Sequence, residues 1–205
     1  MKLIKAIALA TILAAGSAQA VAAQTSGTGR LVEHEVTSPP IGHVQFCRMF
    51  ADDCRLSGKG IATVELTARA WADLVEVNDA VNEQVSPITD LELYGVAEHW
   101  TYPANQGDCE DYVLLKRKRL IERGWPANSV LITVVRDQYG DGHAVLTVVT
   151  SAGDLVLDNQ DAEIRFWSET PYRYLKRQSH RDATRWVSLQ DDRRLTPPLV
   201  AATPR

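Results

Sequence analysis

The sequence predicts an α+β domain in which helices come first and pack on an antiparallel sheet built from the second half of the chain. From Ala62 to Val85, Val64, Leu66, Ala68, Trp71, Leu74, Val75, Val77 and Val81 recur near helical spacing, with few breakers. From Asp108 to Arg123, Tyr112, Leu115, Arg119 and Leu120 repeat the pattern, and Gly124 stops it. Beyond Ser129 the residues become β-branched. Ser129 to Val135, His143 to Thr150 and Leu155 to Asp158 read as strands, parted by turns at Tyr139-Gly140-Asp141-Gly142 and Ser151-Ala152-Gly153-Asp154. A fourth strand is expected near Ala183 to Leu189.

The amino terminus has the pattern of an export signal. Lys2 and Lys5 precede an apolar run from Ala6 to Ala15, and small residues follow through Ala23. A membrane anchor is the competing reading, but the run is short and is broken by Gly16 and Ser17. Residues 1–23 are therefore expected to be a signal peptide that exports the chain, leaving a soluble mature protein. Residues 24–40, polar and ending in Pro39-Pro40, read as a flexible lead-in, 41–190 as one folded domain, and 191–205, with Pro197, Pro198 and Pro204, as a loose tail.

A net charge of −4 supplies no basic patch for nucleic acid or an anionic membrane. Lys116-Arg117-Lys118-Arg119 reads as a solvated helix face. The histidines His34, His43, His99 and His180 lack zinc-ligand spacing. The chain has 3 cysteines, an odd count for an exported protein. Cys47 and Cys54 are close enough in sequence to pair in an oxidising compartment, with two reduced buried thiols as the alternative; pairing leaves Cys109 free.

Cys109 falls at the start of the second predicted helix, where unpaired N–H groups and the helix dipole favour a thiolate. His143 opens a strand just after a Gly-rich turn, and Asp158 closes the next strand of the same meander. Antiparallel neighbours joined by a short turn bring such ends together, so His143 and Asp158 are predicted to touch. A base oriented by a carboxylate beside a thiol is the arrangement of nucleophilic catalysis, with Cys109 attacking, His143 taking its proton and Asp158 holding the ring. The Cys109 backbone N–H and one further donor, from Gln106, Trp100 or Tyr102, are candidates to meet the oxyanion. Asp108, Glu110 and Asp111 crowd the thiol with charge that opposes a thiolate. Either Asp108 caps the helix while the other two complement its dipole, or the carboxylates hold a hard cation such as Ca²⁺ with carbonyls of the Asp137 to Gly142 loop.

At Gly107-Asp108-Cys109-Glu110-Asp111-Tyr112, Gly142-His143-Ala144-Val145-Leu146 and Leu157-Asp158-Asn159, the chain resembles the bacterial transglutaminase-like cysteine proteinases. The likeness runs from about Pro40 through Trp167, Tyr172 and Lys176-Arg177-Gln178-Ser179. It implies a papain-like/transglutaminase-like fold, a periplasmic cysteine peptidase and a triad of Cys109, His143 and Asp158. One branch of that family clips surface adhesins in a Ca²⁺-dependent way under an inner-membrane regulatory receptor. There the cation-binding carboxylates flank the nucleophile, which implies Asp108, Glu110 and Asp111 here. The adhesin substrate and the receptor partner are expectations from that branch, and the Cys47/Cys54 pair is not a feature associated with it. An acyl transferase on the same triad and a non-catalytic periplasmic binding protein are the rival readings.

Overall fold

The computed structural model describes residues 29–55, 60 and 62–193. The expected signal peptide, residues 24–28 of the expected lead-in and the expected tail from 194 lie outside the described residues. In chain order the elements are β1 (Val32–Thr37), α1 (Ile41–Met49), α2 (Ala51–Arg55), α3 (Ala68–Gln84), β2 (Ser86–Pro87), α4 (Asp90–Tyr94), β3 (Gln106–Gly107), α5 (Cys109–Glu122), β4 (Val130–Arg136), β5 (Gly142–Thr150), β6 (Gly153–Leu157), β7 (Arg165–Phe166), β8 (Arg173–Gln178) and β9 (Trp186–Gln190). The main sheet is 7-stranded, in the order β1-β9-β8-β4-β5-β6-β7. All its pairings are antiparallel. This is the mixed helix and antiparallel-sheet architecture that the sequence predicts.

The helices lie against one face of the sheet because each carries an apolar stripe of the right period. On α3, Ala70, Leu74, Val77 and Val81 are buried, and Thr67 caps the start by accepting from the Ala70 N–H at 3.1 Å. On α5, Tyr112, Val113 and Leu120 join Ile132, Leu146, Val148, Leu155 and Leu157 of the sheet in the main core. Gly124, at φ 92°, ends that helix, its N–H donating to the Ile121 carbonyl at 2.9 Å. The opposite face has a smaller core of Leu31, Val135, Val145, Val156, Tyr172 and Tyr174. With both faces covered, β5 and β6 are buried almost throughout, which is why they read as continuous apolar runs.

Several elements differ from the sequence reading. Residues 32–37, inside the expected lead-in, form the edge strand β1 on β9. Their polarity misleads because Val32 and Val36 face solvent while Glu33 points inward to Arg177, 3.1 Å away, and to Ser179, 2.8 Å away. The first long helix starts at Ala68; before it, Val64 bridges to Thr150. The loop from 90 to 105 contains α4, held by a Thr89/Glu92 capping box. Strand β8 was not expected, since its buried members include Arg177 and Gln178, both hydrogen-bonded. Lys116 and Arg117 are buried rather than solvated: Lys116 Nζ donates to Asn78 Oδ1 at 2.8 Å and Arg117 Nε to the Val130 carbonyl at 3.1 Å. At the carboxyl end, Asp191 accepts from the Tyr174 N–H at 3.0 Å and from Arg193 at 2.8 Å, so the fold continues past 190.

Candidate active site

Asp108 is the N-cap residue of α5, and Cys109 its first helical position. A free backbone N–H there faces outward by construction, since the first turn of any helix leaves its amides without internal partners. Gly107 is required by this entrance: a Cβ on it would lie 2.5 Å from the Asp111 carboxylate. The glycine thus admits the Asp111 side chain.

His143 and Asp158 meet because β6 pairs with β5 only as far as Leu157 opposite Leu146. Beyond it the chain leaves the sheet edge and Asp158 Oδ1 reaches His143 Nε2 at 2.9 Å, with both side chains buried. Oδ1 also accepts from the Gln160 N–H at 3.0 Å, and Oδ2 accepts from the Tyr172 hydroxyl. Burial works to raise the Asp158 pKa, but the hydrogen bond and charge of His143, with the Tyr172 and Gln160 hydrogen bonds, hold it below the usual carboxylate range. Ionised Asp158 can only accept, so Nε2 carries the ring proton and Nδ1 is left as the basic nitrogen. Gln160 Nε2 donates to Nδ1 at 3.4 Å. Tyr172 also packs edge-on against the ring, with centroids 5.4 Å apart.

Cys109 is the free cysteine among the described residues. With His143 and Gly142 it borders two clefts. One, of about 310 Å³, is walled by Pro40, Trp100, Val134, Ala144 and Lys176. The other, of about 330 Å³, is walled by Ile88, Thr89, Asp108, Asn159 and Gln160. A chain laid from one cleft to the other would pass the sulfur and the imidazole. The thiol donates to Glu110 Oε2 at 3.0 Å. Burial, then the Glu110 charge, push its pKa well above the usual thiol range.

The carboxylates around the thiol add to that opposition. Burial, then the Asp108 charge, push Glu110 up to about 8. Burial also drives Asp111 up to about 8 and raises Asp108. Asp108 makes no side-chain capping bond, so the cap reading is not what occupies its carboxylate. Instead Asp90, Asp108 and Glu110 each bring an oxygen within 4.8 Å of the others. Asp90 Oδ1 and Asp108 Oδ1 are buried without a hydrogen-bond partner among the described residues. An all-oxygen, acidic set with unpaired atoms fits a hard divalent cation. Asp111 is outside this trio: its Oδ1 accepts from the Thr101 N–H at 2.9 Å, and its Oδ2 is likewise buried without a hydrogen-bond partner among the described residues. In the loop after β4, from which carbonyl ligands are expected, the Asp137, Gly140 and Asp141 carbonyls accept from Gly140 N, Arg136 Nη1 and Asp137 N. Asp90, missed in the sequence, lies 18 positions upstream and is brought in by the α4 turn.

Of the oxyanion candidates, Trp100 alone lines a cleft with Cys109, and its Nε1 donates to Glu98 at 3.0 Å. Gln106 and Tyr102 border neither cleft. Tyr102 packs against Phe46 and Phe50 with its hydroxyl on Asp53 at 2.9 Å, a position dictated by the aromatic core rather than by the thiol. Cys47 and Cys54 are joined as a disulfide that ties α1 to α2. Behind Trp100, His43 packs against Trp100 and Trp186, and burial, then Arg117, lower its pKa to about 4.

A cysteine at a helix amino terminus, set against a sheet that carries a His–Asp pair, places the fold in the papain-like/transglutaminase-like class. The chain belongs to the bacterial transglutaminase-like cysteine proteinases, whose family model matches residues 33–194. That family is one of cysteine peptidases. No curated protein matches the chain. Among solved structures it is similar to Legionella pneumophila LapG, at 24% identity over 53% of this chain and 63% of that chain, with a TM-score of 0.46. It is also similar to calcium-bound LapG from the same organism, at 22% identity over 68% of this chain and 77% of that chain, with a TM-score of 0.47. In the first of these alignments the chain spans less than two thirds of LapG.

Proposed function

We propose that the chain is a periplasmic cysteine peptidase that hydrolyses an amide bond of a protein substrate. The observation that carries this reading is the buried His143–Asp158 pair, 2.9 Å apart, beside the cleft that Cys109 also borders. His143 Nδ1 takes the thiol proton, the sulfur attacks the carbonyl carbon, and the oxyanion forms against the Cys109 backbone N–H. The proton passes from Nδ1 to the departing amine, and water then cleaves the thioester with Nδ1 again as base.

Asp90, Asp108 and Glu110 are the residues that would hold Ca²⁺, which when bound neutralises carboxylate charge beside the thiol. The unpaired buried oxygens of Asp90 and Asp108 support this part of the reading. Processing of a surface adhesin, and control by an inner-membrane receptor, belong to the same proposal through the family's adhesin-clipping branch.

The test is alkylation of the purified protein with iodoacetamide, mapped by mass spectrometry, in wild type and in His143→Ala. Selective modification of Cys109 at neutral pH that slows in His143→Ala supports the peptidase reading. Indifference of Cys109 to His143→Ala removes it.

A further inference from the structure

We infer that Asn159 and Gln160 form the subsite for the leaving amine, and that the Gln160 side-chain amide stands in the resting enzyme where that amine's nitrogen stands during catalysis. The inference rests on the peptidase reading of Cys109, His143 and Asp158.

Asp158 fixes the imidazole from its Nε2 side, so all proton traffic runs through Nδ1. In acylation the sulfur–carbon bond forms, the carbon–nitrogen bond breaks, and the proton taken from Cys109 is delivered by Nδ1 to the departing nitrogen. That nitrogen must therefore lie within hydrogen-bond reach of Nδ1. The group that now donates to Nδ1 is Gln160 Nε2, at 3.4 Å. An amide N–H aimed at Nδ1 reproduces the contact that an amine makes when it leaves, or when it returns to attack the thioester.

The surroundings identify the same cleft. Of the polar side chains that line it with Cys109 and His143, Thr89 and Glu92 are bonded to each other at 2.7 Å and Asp108 belongs to the carboxylate trio. Asn159 and Gln160 remain. Asn159 Oδ1 is buried with no hydrogen-bond partner among the described residues. It is an acceptor waiting for an N–H, which a primary amine supplies while its lone pair faces the acyl carbon. The Gln160 side chain is exposed, so it can swing aside, whereas its backbone N–H is pinned to Asp158 Oδ1 at 3.0 Å. The ligand class is a primary amine: the new amino terminus of a cleaved chain, or a small amine that takes the acyl group instead of water.

The test uses the full mature protein, acetylated at Cys109 by p-nitrophenyl acetate, with methylamine as acceptor. The quantity read is the rate constant for loss of the acetyl group from Cys109, followed by mass spectrometry, against methylamine concentration: the slope reports attack by the amine and the intercept attack by water. Because a first-order decay does not depend on how much acyl-enzyme was formed, a loss of folded protein or of acylation rate drops out of it. Gln160→Ala and Gln160→Met, which both remove the competing N–H, are expected to raise the slope about two- to tenfold, the scale of one net hydrogen bond. Asn159→Ala is expected to lower the slope by a similar factor and to leave the intercept near wild type. An unchanged slope in both Gln160 variants overturns the subsite, and a wild-type slope in Gln160→Met alone reduces Gln160 to a space-filler and overturns it as well. A wild-type enzyme that forms no acyl-enzyme, with a Cys109 inert to iodoacetamide, takes down the peptidase reading and the subsite together.

Discussion

The Tyr172 hydroxyl donates to Asp158 Oδ2, on the oxygen opposite the one that holds His143. The carboxylate is thereby gripped on both sides, by donors from three separate stretches of chain.

Removing that grip defines the first prediction. The native environment depresses the Asp158 pKa, so the stabilisation of its ionised form is present above the unfolded value of about 3.9 and is lost as pH falls through the lower folded value. Tyr172→Phe weakens the depression, so the stabilisation is smaller and its loss is complete at a higher pH. The acid limb of the pH–rate profile should shift upward and kcat/KM at neutral pH should fall about tenfold, the scale of a hydrogen bond to a charged group. An acid limb that stays in place would show that Tyr172 only fills space.

Calcium titration by calorimetry should separate Asp90 from Asp111. Asp90→Asn and Glu110→Gln each remove an oxygen of the trio and are expected to weaken binding at least about tenfold, as for a lost charged contact. Asp111→Asn, outside the trio, should bind nearly as wild type. Equal losses in all three variants would instead place the cation nearer Asp111.

His43 predicts a pH effect on stability independent of catalysis. Its native pKa of about 4 lies below the unfolded value of about 6.5, so the unfolded chain binds the extra proton between them. The His43 contribution to stability is full above about 6.5 and falls toward pH 4, by about 3 kcal/mol for a shift of that size. Glu110 and Asp111, raised to about 8, work in the opposite direction over that range, so in His43→Phe the melting temperature should drop less, or rise more, than in wild type as pH falls from about 6.5 to 4. A slope equal to that of wild type would move the acid sensitivity elsewhere.

The disulfide closes a short ring, with a sequence separation of 7, so chain entropy gives it about 2–3 kcal/mol. Reduction, or the double substitution Cys47→Ser/Cys54→Ser, should lower the melting temperature by several degrees. It should also loosen the Trp100 wall, since α1 presses on that indole through Gly42 and His43. Trp fluorescence that follows the redox state would report this, and a spectrum indifferent to it would show that the wall stands without the bond.

Much of this arrangement was legible in the sequence because it depends on local order. The period change at Ser129 marked β4, β5 and β6, and the meander rule alone put His143 beside Asp158. What escaped depends on partners distant in sequence. Asp90 falls in a stretch that reads as loop until the α4 turn carries it to Asp108 and Glu110. Lys116 and Arg117 look solvated until Asn78 and the Val130 carbonyl are seen to receive them. Glu33 makes the first strand look like a tail, because its guanidinium partner lies 144 positions away.

That last pairing limits how the molecule can be trimmed. A fragment begun at Ile41 would strip β9 of its outer neighbour and leave the guanidinium of Arg177, wholly enclosed, facing Asp154 alone. Residues 32–37 and 186–190 work as a drawstring, and an insertion beside either stretch pulls on the same hem of the sheet.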